Sequence, residues 1–104
     1  MNSNKLYMFV ADWCQFCKQV KPEVFELAKK YYKNGNIEIF EDSDDKTKQL
    51  MQHYNLGGYP AFIVVDQNGA QVSSYMGDRT YKSILQFYVS NTGTEVVEED
   101  KKYV

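Results

Sequence analysis

The residue pattern predicts an α/β fold of order βαβαββα, with a central four-stranded mixed sheet flanked by helices. In the first half, short apolar runs alternate with amphipathic stretches, which calls for parallel strands joined by right-handed crossover helices. In the second half, two short runs meet at Asp66-Gln67-Asn68-Gly69, a hairpin turn, and an amphipathic stretch follows. A length of 104 residues supports one domain, and 43% hydrophobic content fills one compact core without metals or disulfide staples.

Lys5 to Val10 is almost continuously apolar, as expected of a strand buried on both faces. Cys17, Val20, Val24, Leu27, Ala28 and Tyr31 then fall on one face of a helix, with Lys18, Glu26, Lys29, Lys30 and Lys33 opposite. Pro22 removes the bond to the Lys18 carbonyl and predicts a kink, and Asn34-Gly35-Asn36 ends the helix. Ile37 to Glu41 alternates as a second strand. Ser43, Asp44 and Asp45 offer caps for a short helix that turns Leu50, Met51 and Tyr54 inward. Asn55-Leu56-Gly57-Gly58 loops to Tyr59-Pro60, Ala61 to Val65 forms the third strand, and Val72 to Met76 returns as the fourth. Gly77 breaks that strand, and Thr80 caps a last helix with Tyr81, Ile84, Leu85 and Tyr88 inward. The domain is expected over residues 1–91, and residues 92–104 read as an acidic flexible C-terminal tail.

A net charge of −2 leaves no electrostatic footprint for nucleic acid or an anionic membrane. The apolar run from Leu6 to Ala11 stops at Asp12, too short for a secretory core or a membrane span. With the Met1-Asn2-Ser3-Asn4 start, the expectation is a cytoplasmic protein that uses neither nucleic acid nor membrane as partner and works as a monomer.

The chain has two cysteines, spaced as Cys14-Gln15-Phe16-Cys17. Structural disulfide frameworks need more cysteines spread along the chain, so the pair points to redox chemistry or to half a metal site. Exchange requires a thiolate. Cys14 falls where the first strand ends and the helix begins, and there unpaired N–H groups and the helix dipole favour a negative sulfur. Cys17, one turn further in, is placed to attack a mixed disulfide at Cys14 and release the reduced partner. Cys14 is thus the expected exposed nucleophile and Cys17 the buried resolver. Two weaker readings stay open. A purely structural link would close a tiny loop and contribute little. A zinc site needs about four ligands, where the chain offers two thiols and His53.

Ala11-Asp12-Trp13-Cys14-Gln15-Phe16-Cys17-Lys18 resembles the active-site segment of the thioredoxin superfamily, and Pro22 matches its helix-kinking proline. Gly58-Tyr59-Pro60 resembles the loop where that superfamily places a cis-proline facing the cysteines, as the disulfide-isomerase branch often writes it. Gly77-Asp78-Arg79 resembles the loop whose arginine swings toward the active site in that branch. The resemblance implies a thioredoxin-like fold and an enzyme exchanging dithiols for disulfides, with Cys14 and Cys17 catalytic. It further implies that Trp13, Tyr59 and Pro60 contact substrate and that Arg79 gates Cys17, held outward by Asp78 or Glu41. No cofactor beyond the redox-active disulfide and no metal is expected. Protein thiols or disulfides are the expected substrates, with thioredoxin reductase or glutathione as electron donor.

The chain also departs from the family's pattern. Only a short segment precedes the first strand, so the architecture is expected to match the shorter glutaredoxin-length core. Met8 stands six positions before Cys14, where the branch buries a carboxylate that helps move the resolving thiol's proton. Glu41 stands where a lysine is common and is a candidate replacement base. Gln15-Phe16 lacks both the proline of reducing thioredoxins and the histidine of oxidants and isomerases. Reduction is the favoured direction, because Ala11-Asp12-Trp13-Cys14 resembles thiol-reducing relay domains and a cytoplasmic setting is reducing. The alternatives are an oxidase or isomerase, and a thioredoxin-fold binding module with incidental redox activity.

Overall fold

The computed structural model describes residues 2–104. The strands are β1 (Lys5–Val10), β2 (Ile37–Glu41), β3 (Ala61–Val65) and β4 (Gln71–Ser74). The helices are α1 (Gln15–Tyr31), α2 (Asp45–His53) and α3 (Tyr81–Thr92). One four-stranded sheet runs in the order β2-β1-β3-β4. β1 pairs parallel with β2 and antiparallel with β3, and β3 pairs antiparallel with β4, so the sheet is mixed.

The two-residue period of a strand divides β1 between two cores. Leu6 and Met8 face one way, into a cluster with Val20, Val24 and Leu27 of α1 and Ile84, Leu85 and Tyr88 of α3. Phe9 faces the other way, into a cluster with Phe40, Met51, Ile63 and Val65 beneath α2. β3 divides likewise, with Phe62 and Val64 on the first side and Ile63 and Val65 on the second. Two helices therefore cover one face of the sheet and a single helix covers the other.

The local signals act as their chemistry requires. Asp44 caps α2 by accepting the Lys46 N–H, and the Thr80 hydroxyl accepts the Ser83 N–H at the start of α3. Asp66 closes the hairpin turn by accepting from Asn68 and Ala70, and Gly69 takes the positive φ of 82° that the turn demands. α1 continues through Pro22 to Tyr31, and a 3-10 turn then leads to Gly35 in the left-handed region. β4 begins and ends earlier than the residue pattern predicts, and its pairing with β3 shifts register between Val64 and Val65.

The segment after Thr92 corrects the expectation of a flexible tail. Thr92 is the last residue of α3, and its hydroxyl bonds to the Tyr88 carbonyl at 2.7 Å. A 3-10 helix over Glu98–Tyr103 lies back against the body of the protein. Its anchor is Asp100, which is fully buried and accepts from Tyr31 (2.7 Å), Tyr81 (2.8 Å) and Lys30 (3.0 Å). Acidic composition makes the segment look solvated, yet one carboxylate finds three donors placed by α1 and α3. Burial alone would push the Asp100 carboxyl up, but the hydrogen bonds from Tyr31, Tyr81 and Lys30 outweigh it and hold the carboxyl below its ordinary value.

A depressed folded-state pKa adds stability that is present above the unfolded value and lost as pH falls through the folded one. Asp100→Asn removes the charge while keeping the shape, and should cost about 3 kcal/mol at neutral pH. Urea midpoints of parent and variant should draw together as pH falls below about 4 and meet only below the depressed folded-state value, where the folded parent carboxylate is protonated as well. An unchanged midpoint at neutral pH would return residues 93–104 to the status of a loose tail.

Candidate active site

The site sits where β1 ends. Val10 pairs with Glu41, so the turn after β1 and the end of β2 lie side by side. Cys14 is the N-cap of α1, in extended conformation, and its sulfur accepts the Cys17 N–H at 3.2 Å. The Cys17 sulfur receives the Ala11 N–H at 3.4 Å. Both cysteines are free thiols. With Val10 and Ala11 they form a small apolar cluster against which Ile39 and Tyr59 pack.

Two thiols one helical turn apart thus have opposite environments. Burial pushes the Cys17 thiol up to about 11, reinforced by the neighbouring Cys14 sulfur, while the Ala11 N–H and the Lys21 charge act against the rise. Burial also acts to raise Cys14. The Cys17 thiol, the Cys17 and Phe16 N–H groups and the Arg79 charge outweigh it and bring Cys14 below its ordinary value. Cys14 is more covered than the exposed nucleophile expected of it, at 6% exposure against 0% for Cys17. Its S–H points at the Tyr59 carbonyl at 3.5 Å, so the loop before β3 closes over it.

That loop contains a cis Tyr59–Pro60 bond. Trp13 stands 69% exposed, edge-on to Tyr59 with ring centroids 5.6 Å apart. Asp42, which sequence reading passed over, joins the pair: its carboxylate accepts the Trp13 indole N–H and the Tyr59 hydroxyl, each at 2.8 Å. These bonds draw the Asp42 carboxyl below its usual range, and burial together with Asp42 pushes Tyr59 up to about 12. The only available signal was that Asp42 follows the β2 strand at the sheet edge shared with the cysteines. Beside Pro60 runs an apolar groove of about 260 Å³, lined by Leu56, Gly58, Ile63, Tyr75 and Met76 among others.

The structure rearranges the charged residues relative to expectation. Arg79 lies over the Phe16 ring, 5.4 Å from its centroid, and its charge bears on Cys14, where Cys17 was expected. Asp78 does not hold it outward, for its carboxylate bonds the Thr80 N–H and hydroxyl at the start of α3. Glu41 is half-exposed and reaches Lys21, at 3.8 Å. Lys21 also pairs with Asp12. His53 is exposed, edge-on to the Tyr54 ring. Among the described residues no group of three or more His, Cys, Asp or Glu side chains gathers around a potential metal position. No helix among them is long and apolar enough to cross a membrane.

A helix-capping thiol, a buried second thiol one turn on and a mixed sheet of this topology define the class of thiol–disulfide oxidoreductases. The thioredoxin family model matches residues 1–90, and the chain belongs to the thioredoxin family. It is 33% identical over 92 residues to 5'-adenylylsulfate reductase-like 6 of Arabidopsis thaliana, covering 88% of this chain and 30% of that protein. It is 29% identical over 91 residues to probable protein disulfide-isomerase A6 of Medicago sativa, covering 88% of this chain and 25% of that protein. The chain thus spans less than a third of these curated relatives. Among solved structures, a point-mutant thioredoxin from Halobacterium salinarum superposes with a TM-score of 0.66 at 26% identity, covering 92% of this chain and 79% of that one. The J-Trx1 fragment of ERdj5 shares the fold with a TM-score of 0.71 at 23% identity, covering 89% of this chain and 45% of that one.

With its thiol at about 11, Cys17 carries about one thiolate per ten thousand molecules at pH 7, so iodoacetamide should label Cys14 first. Peptide mapping after limited labelling of the reduced protein checks this, and Cys17 modified ahead of Cys14 would reverse the assignment. Arg79→Gln should raise the pH midpoint of Cys14 alkylation by about half a pH unit and leave Cys17 unmoved. A midpoint that moves only for Cys17 would restore the expected gating role.

Proposed function

We propose that this chain reduces disulfides in protein substrates, with Cys14 as nucleophile and Cys17 as resolver, in a reducing compartment such as the cytoplasm. The observation that carries the reading is the opposed environment of the two thiols. The Cys14 sulfur accepts the Cys17 N–H at the helix start, and the Cys17 thiol is buried behind it. The Cys14 thiolate attacks one substrate sulfur and forms a mixed disulfide, and the other substrate sulfur leaves with the electron pair and takes a proton. Cys17 then attacks the Cys14 sulfur, a Cys14–Cys17 bond forms, and the second substrate sulfur departs. Substrate gains two electrons and the chain becomes oxidised. Two electrons from thioredoxin reductase, or from two molecules of glutathione that leave joined as a disulfide, restore the reduced pair.

Trp13, Tyr59 and Pro60, with the groove beside Pro60, supply the surface for an extended peptide around the target sulfur. Reduction is favoured because Ala11-Asp12-Trp13-Cys14 resembles thiol-reducing relay domains and the proposed compartment is itself reducing. A second reading, oxidase or isomerase, draws on Arg79: a charge that favours the Cys14 thiolate stabilises the reduced pair and raises the potential.

Equilibration with glutathione separates the two. A potential near about −270 mV supports reduction, whereas one near about −180 mV supports oxidation or isomerisation. Turnover of a model protein disulfide should be lost in Cys14→Ser. A biological activity that survives the double substitution Cys14→Ala, Cys17→Ala would point to a binding module.

A further inference from the structure

The resolving thiol has an electrostatic problem that this chain solves in its own way. Beneath α1 the sheet offers Cys17 no acid: Met8 is fully buried among Val20, Val24 and other apolar side chains. Cys17 itself is fully buried, with the Ala11 N–H on its sulfur. One turn further along α1, four residues on and on the same side of the helix, stands Lys21. Its side chain is only 20% exposed, unusual for a lysine, and its ammonium is held from two directions. Asp12 grips it from the turn after β1, and Glu41 approaches to 3.8 Å from the end of β2. The parallel pairing of Val10 with Glu41 sets those two carboxylates on either side of it.

We propose that Lys21, clamped by Asp12 and Glu41, is the positioning residue that supplies positive charge to Cys17 during resolution of the mixed disulfide. This rests on the exchange reading above. Glu41, expected as a replacement base, serves here as one jaw of the clamp. In the step concerned, Cys17 gives up its proton, which the departing substrate sulfur regains in the net reaction, and its thiolate attacks the Cys14 sulfur. The Cys14–Cys17 bond forms, the bond from Cys14 to the substrate sulfur breaks, and the electron pair leaves on that sulfur. Negative charge rests on Cys17 before attack, and a fixed cation one turn away lowers the cost of creating it. The other groups bearing on Cys17 are Cys14 on the same helix and Tyr59 in the loop before β3. Arg79 bears on Cys14 instead. Lys21 stays cationic throughout, because the hydrogen bond to Asp12 and the charges of Asp12, Glu41 and Cys17 outweigh its partial burial and raise its pKa.

Stopped-flow reaction of the reduced protein with dithiobis-nitrobenzoate reads the two thiols separately. A first coloured anion is released as Cys14 attacks, at a rate that grows with reagent concentration. A second is released as Cys17 resolves the mixed disulfide, at a rate independent of it. In Lys21→Met the first phase should match the parent and the second should have its pH midpoint raised by about one pH unit. At pH 7 the second phase should slow about threefold, since the tenfold smaller thiolate fraction is partly offset by greater nucleophilicity. Lys21→Arg, which keeps the charge, should restore the parent profile. If Lys21→Met does not fold, Lys21→Gln carries the same expectation. Superimposable second-phase profiles for the parent and the uncharged variant would overturn the proposal and leave the exchange reading intact, as would an Arg variant that behaves like Met. A parent that gives no second phase would overturn both.

Discussion

Burial of β1 on both faces is the constraint on which the remainder of the molecule depends. Leu6 and Met8 must be covered from one side and Phe9 from the other, so helices have to lie above and below the strand. A central strand also needs partners along both edges, and β2 and β3 provide them. With those demands met, the position of the β1 C-terminus is fixed by the whole core. The turn that follows cannot drift, and it carries Cys14 to the N-cap of α1. The reactive sulfur is held by the packing of residues that take no part in its chemistry.

From that placement the asymmetry of the two thiols follows without any special group. The start of a helix has N–H groups with no carbonyl partner, and Cys14 uses them. One turn later the same helix is pressed against the sheet, and Cys17 is cut off from water. A single helix therefore produces one thiol drawn below its ordinary pKa and one pushed above it. The charged side chains refine this division. Arg79, laid across Phe16, bears on the first thiol, while Lys21 bears on the second. Phe16, between the cysteines, contributes a surface on which a guanidinium rests.

The same economy of placement explains the C-terminal segment. Asp100 is a costly residue to bury, and it is tolerated because two tyrosine hydroxyls and an ammonium converge on it. Tyr31 comes from the end of α1 and Tyr81 from the start of α3, so the carboxylate ties together the two helices covering one face of the sheet. Asn36 does similar work nearby, bonding Tyr88 and Thr94 across the end of the sheet. The polar groups of the interior lie mainly where helices and the last segment meet, away from the cysteines.

The strands, helices and caps of this protein were legible in its sequence because they are set by local periodicity and local hydrogen bonding. The bounds of β1, β2 and β3, the inward faces of α1 and α3, and the caps at Asp44 and Thr80 all arise within a few residues of chain. The Cys14–Cys17 pair is equally local, since its chemistry depends on a spacing of one helical turn. What the sequence could not determine are contacts whose partners lie far apart along it. Asp42 reaches Trp13 and Tyr59, Lys21 reaches Glu41, and Asp100 reaches Tyr31 and Tyr81. The side on which Arg79 rests, and whether an acidic ending is solvated or buried, belong to the same group. Each depends on which elements the sheet brings side by side, and a carboxylate or guanidinium has no periodicity that reveals its partner before the chain has folded.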